Sequence, residues 1–186
     1  MKNTFFQLAL LFSLTFAWAV QAQGQAQFDN STMVAQAGIG LGGYSNNYSS
    51  QTPVMSIAFE KGFKEDVGPG NIGIGGQIGY KSGRYDYNFW DTRYSWTYRY
   101  TMIAARAVYH PDFAQSEKFD AYAGLTLGMY FLSFGSNDDA VTDYNSSHLL
   151  LGAVVGCKYY FTENIGAYAE LGYGLGYLNF GVAYKF

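Results

Sequence analysis

Residues 178–186 (LNFGVAYKF) alternate strictly. Leu178, Phe180, Val182, Tyr184 and Phe186 are apolar or aromatic, and Asn179, Gly181, Ala183 and Lys185 between them are small or polar. Successive side chains of a strand point to opposite faces, so this segment carries one greasy row and one row with a charge in it. The charged row needs water or polar partners. The greasy row is therefore the outside of a closed sheet, the reverse of a soluble barrel.

The same alternation recurs in seven earlier segments separated by turn chemistry, at residues 33–43, 54–61, 72–85, 94–110, 119–134, 148–161 and 165–174. Each is about long enough to cross a bilayer at the tilt of a barrel strand. In the second, Met55, Ile57 and Phe59 oppose Ser56, Ala58 and Glu60; in the seventh, Ala167, Ala169, Leu171 and Tyr173 oppose Tyr168 and Glu170. The expected fold is all-β: an eight-stranded antiparallel up-and-down transmembrane β-barrel with a polar, filled interior. An even strand count puts both chain ends on one side. Lys64-Glu65-Asp66, Pro111-Asp112 and Thr162-Glu163-Asn164 then fall in inner turns, and residues 45–53, 86–93, 136–145 and 174–177 face outward.

These registers turn Gln36, Glu60, Gln77, Lys81, Lys158, Glu170 and Lys185 into the barrel. Both charge signs are present, as a paired plug requires. Arg99 and Arg106 are seven apart and cannot share a face of a regular strand. An arginine facing lipid near the midplane costs ~2–4 kcal/mol, so Arg106 turns inward, with Glu170 as its expected partner, and Arg99 takes the interface or the adjacent loop. Trp90, Tyr94, Trp96, Tyr98 and Tyr100 near the outer end, and Tyr159, Phe161, Tyr184 and Phe186 near the inner end, are expected to form the two aromatic girdles.

Composition changes the picture in two places. An apolar stretch at residues 5–20 follows Lys2 and ends at Val20-Gln21-Ala22, the layout of a cleaved signal peptide, so the expected organisation is a leader at 1–22, a short lead at 23–32 and the barrel at 33–186. The formal charge of −3, with scattered Lys and Arg, points away from a nucleic-acid partner. The single Cys157 permits no internal disulfide and sits in the lipid-facing row.

Candidate chemistry is sparse. His148 follows Ser146-Ser147 near Asp138, Asp139 and Asp143, so a Ser/His/Asp set could assemble at the outer rim, but its spacing matches no G-x-S-x-G elbow. Asp-Asp-Ala-Val-Thr-Asp lacks the ligand spacing and glycine of a calcium loop. His110 precedes Pro111 at an inner turn. No catalytic residue, metal site or cofactor is expected.

The ending GVAYKF, the stretch YYFTENIGAYAELGYG at residues 159–174, the leader and the eight-strand spacing resemble the small single-domain outer-membrane barrels of the OmpA/OmpX type. The resemblance implies a bacterial outer-membrane location, outer-membrane lipids as surroundings, and recognition by the insertion machinery through Phe180, Val182, Tyr184 and Phe186. It leaves the activity open. The expected role is non-enzymatic, envelope-structural or in surface interaction through short outer loops. A narrow pore, an outer-leaflet lipid-modifying enzyme and a soluble lipocalin-like binding barrel are the alternatives.

Overall fold

The computed structural model describes residues 28–43, 48–90, 92–137, 144–174 and 176–186. The leader, its cleavage point and residues 23–27 of the lead lie outside these residues, as do Asp138, Asp139 and Asp143. Among the described residues no helix is long and apolar enough to cross a membrane.

The strands are β1 (Met33–Leu41), β2 (Ser50–Gln51), β3 (Val54–Lys64), β4 (Gly70–Phe89), β5 (Thr92–Pro111), β6 (Phe119–Ser136), β7 (Tyr144–Tyr160), β8 (Ile165–Tyr173) and β9 (Leu178–Lys185). Hydrogen bonding runs β2-β4-β3-β1-β9-β8-β7-β6-β5, and pairing of β4 with β5 closes the eight long strands into a ring. Every pairing is antiparallel. The short β2 prolongs the β3 contact with β4 past Pro53, which has no N–H to give; the Thr52 N–H donates to the Ser82 carbonyl at 2.8 Å instead.

The wall is uneven. β4 and β5 have 20 residues each, β6 18 and β7 17, against 9, 9 and 8 for β1, β8 and β9. A strand of 20 residues is ~65 Å long, or ~45 Å along the normal at ~45° tilt, well beyond a ~30 Å hydrocarbon core. The excess lies at the outer end, because pairing of β7 with β8 reaches only to Ala153 and Tyr173. This corrects the strand ends expected from the sequence and leaves the connection between β4 and β5 shorter still. The supposed loop at 86–93 is continued strand, paired through Tyr85 with Trp96 and Tyr87 with Tyr94, and turns at Trp90 with a left-handed φ of 46°. Aromatic cross-strand pairs favour the ladder over a loop.

Inside, three layers fill the lumen. Val54, Met102, Ala104, Tyr130 and Leu150 form a buried apolar layer toward the outer end, and Phe28, Val34, Tyr168 and Ala183 form another near the inner end. Buried polar side chains lie between and around them. The interior is thus less uniformly polar than alternation suggested. Small residues make the room: a Cβ on Gly156 would lie 2.8 Å from the Tyr122 ring.

Candidate functional site

Three features could do work in this molecule: a central ion pair, a charged cluster at the inner mouth, and an aromatic face at the outer end. The central pair joins strands from opposite parts of the ring. Arg106 of β5 donates from Nη2 to Glu170 Oε1 of β8 at 2.6 Å, with both side chains buried. The Tyr122 hydroxyl donates to the same oxygen at 2.8 Å and accepts from Gln36 Nε2 at 3.2 Å. Four strands are tied across the lumen by this one network.

Closer to the inner mouth, His110 sits between two carboxylates. Its Nδ1 lies 2.7 Å from Asp120 Oδ1 and its Nε2 2.5 Å from Glu60 Oε1. Lys158 Nζ lies 3.1 Å from Asp120 and 3.6 Å from Glu60, and 4.1 Å from the Tyr122 ring centroid. With both ring nitrogens protonated, His110 would donate to both acids and bring the four groups to neutrality, an arrangement in which charges this deep are tolerated. Phe28 covers the cluster, its ring stacked on His110 at 3.8 Å and 7°. The Phe28 N–H donates to Gln115 Oε1 at 3.0 Å, and Asn71 Nδ2 donates to the Phe28 carbonyl at 2.7 Å. A Cβ on Gly73 would come within 2.7 Å of the Phe28 ring, so that strand position is kept bare for it. The turn behind Phe28 is built by Asp29, whose Oδ1 accepts from the hydroxyls of Ser31 and Thr32 at 2.7 and 2.8 Å. The Ser31 hydroxyl, most of all, holds the Asp29 carboxyl below its ordinary value.

The positions of the remaining sequence candidates follow from the registers. Lys81 is buried on the inner face of β4, and Gln77 is half-buried between Ala58 and Ala104 on the same face. Lys185 lies at the inner mouth with Nζ 5.0 Å from the Tyr160 ring. Phe180, Val182, Tyr184 and Phe186 are exposed in one outward row. Sequence reasoning overlooked His110, Asp120 and Phe28 as lumen-fillers. His110 was findable, since it shares the even-numbered face of β5 with Arg106; the neighbouring Pro111 suggested a turn instead.

At the outer end the alternation inverts. Through residues 72–80, 101–109 and 149–159 the outward positions are mostly apolar, such as Ile74, Ile78, Ile103 and Leu151. Spans of nine to eleven residues are what a tilted transmembrane strand requires. Beyond them the outward positions become Ser82, Arg84, Thr97, Arg99, Ser133 and Asn145, and the inward ones aromatic. Tyr94, Trp96, Tyr98 and Tyr100 therefore do not form a lipid-facing girdle, as the sequence suggested. They share the face of buried Met102, with Tyr98 edge-on to Phe134 at 5.0 Å and the Tyr100 hydroxyl 2.8 Å from that of Tyr48. Trp90 is exposed at the turn.

Of the Ser/His/Asp set considered from the sequence, Ser146 and His148 meet at 3.3 Å near the surface, and its three aspartates lie outside the described residues. Among the described residues, no group of three or more His, Cys, Asp or Glu could hold a metal.

No family model matches this chain, and no curated protein matches it. Among solved structures, it is similar to Ail, the attachment invasion locus protein of Yersinia pestis, crystallised with the heparin analogue sucrose octasulfate. That match has 16% identity and a TM-score of 0.51, and covers 84% of this chain and 97% of Ail. It is also similar to the N-terminal β-barrel domain of Pseudomonas aeruginosa OprF, at 17% identity and a TM-score of 0.53, covering 85% of this chain and 98% of that domain. The fold is that of the eight-stranded outer-membrane barrels.

Proposed function

We propose that this chain is an integral protein of the bacterial outer membrane, a non-enzymatic barrel whose lumen is a sealed anchor and whose work is done by the sheet rising above the outer leaflet. The observation that carries this reading is the outward apolar belt, nine to eleven residues tall on the long strands, around a lumen closed by ion pairs and apolar layers. Similarity of fold to Ail and to the OprF barrel supports the location. Phe180, Val182, Tyr184 and Phe186 form the C-terminal outward row through which the insertion machinery would read the last strand.

A pore is disfavoured by the Arg106–Glu170 crossing and by the Phe28 cap. A soluble lipocalin-like barrel would bury its apolar row, whereas here Ile57, Leu125, Leu149 and Val182 are all more than half exposed. The test is the mobility of the mature protein on a denaturing gel with and without boiling, paired with conductance in planar bilayers. A heat-dependent shift without single-channel steps is expected. A soluble periplasmic protein that shows no shift contradicts the anchor, and steady conductance contradicts the seal.

A further inference from the structure

We infer that the aromatic inner face of the outer extension is a binding surface for an uncharged oligosaccharide, whose pyranose rings stack on Tyr85, Trp96 and Tyr144. The inference rests on the reading that this end of the barrel stands outside the membrane.

The face is preorganised. Tyr85 and Trp96 lie parallel across the β4–β5 pair with centroids 5.6 Å apart and planes 14° apart, and Phe134 and Tyr144 do the same across β6 and β7 at 4.9 Å and 22°. Tyr98 extends the second pair, 5.0 Å from Phe134 and 5.6 Å from Tyr48, and shares the inward face of β5 with Trp96. Rings fixed in this way give broad contact with little side-chain entropy left to lose. The rings are also available: Tyr85 is 40% and Tyr144 48% exposed, on inward positions of β4 and β7 and each stacked on a neighbour rather than a scattered single residue. Short β1, β8 and β9 leave the opposite side of the mouth low, so the face opens toward the outside.

Charge selects the occupant. Among the described residues above Lys81, the inward positions of β4 to β7 carry no Asp, Glu, Lys or Arg, whereas Arg84 and Arg99 point the other way. An anionic ligand, a sulfated sugar included, finds Arg84 and Arg99 on the wrong side of the sheet, with His148 and the buried Lys81 as the basic side chains of the inward face. An acyl chain would strand the tyrosine hydroxyls away from water. An uncharged sugar suits both properties of the face: its C–H side meets the rings, and its hydroxyls meet tyrosine hydroxyls and Ser146.

The test uses the full mature protein in detergent, titrated with maltoheptaose, cellohexaose and chitohexaose as separate probes. Tryptophan fluorescence and saturation-transfer NMR are the readouts. We expect saturable binding of at least one probe, unchanged between about 50 mM and about 500 mM salt because no ion pair is involved. Tyr85→Ala and Tyr144→Ala should each weaken it about three- to ten-fold, with the heat-dependent gel shift retained. No saturation by any of the three sugars, equal binding by both variants, or salt-sensitive binding of a heparin oligosaccharide alone would each overturn the inference. Loss of the heat shift in the unaltered protein would instead overturn the outer-membrane reading on which it rests.

Discussion

The two halves of β4 and β5 obey opposite rules. In the inner half the outward row is apolar, with Ile74, Ile78 and Ile103 exposed, and the inward row holds Lys81, Arg106 and His110 in burial. In the outer half the outward row is Arg84, Thr97 and Arg99, and the inward row is Tyr85, Trp96 and Tyr98. The backbone ladder runs unbroken through both. Hydrogen bonding alone therefore does not decide which face is greasy; the medium outside does. Where hydrocarbon surrounds the wall, polar groups retreat into the lumen; where water surrounds it, the same alternation returns to the soluble arrangement. On the proposed outer-membrane reading, the change of rule near Tyr80, Thr101, Phe131 and Leu149 is the outer edge of the membrane on the four long strands.

The sharpest way to break the inner half is to unbalance its charges. Lys158→Met leaves Glu60 and Asp120 facing each other across His110, and should cost about 3–5 kcal/mol, read as a lower urea midpoint for loss of the heat-resistant gel band. Pairing it with Glu60→Gln should recover part of that loss. The contrast between halves is tested by one substitution in each. Ile78→Arg, outward in the belt, should cost about 2–4 kcal/mol, while Thr97→Arg, outward in the extension, should stay within about 0.5 kcal/mol. Equal effects would erase the boundary between the two halves.

Phe28→Ala removes a ring that is 1% exposed and should cost about 2 kcal/mol, with faster exchange of the inner-mouth amides and no effect on the outer extension. The smallest effect concerns acid. The pKa of Asp29 is lowered in the fold, so its contribution is complete above the ordinary value of 3.8 and fades as pH falls through the lowered one. NMR shifts of the Ser31 and Thr32 amides should titrate in that acid range and stop doing so in Asp29→Asn.

Much of this was legible before the structure. A charged residue in the middle of an alternating segment has only the lumen to face, which is why the cost of an arginine in lipid turns Arg106 inward toward Glu170, and they meet at 2.6 Å. The outer aromatics were harder, because tyrosine and tryptophan suit a lipid girdle and an internal platform equally well. Only their parity with Met102 separates the two, and residue type carries no parity. Phe28 was not legible at all. It precedes the first strand, outside any period, and its place depends on His110, Asn71 and Gln115 arriving from distant parts of the chain.

The most direct test is a cysteine scan along the outward row of β5 in intact cells, with Cys157 replaced by Ala and a membrane-impermeant maleimide as probe. Thr97→Cys and Arg99→Cys should label, and Ile103→Cys, Ala105→Cys and Ala107→Cys should not. Labelling that continues through 103–107, or that stops short of 97, would contradict a sheet that leaves the membrane at Thr101.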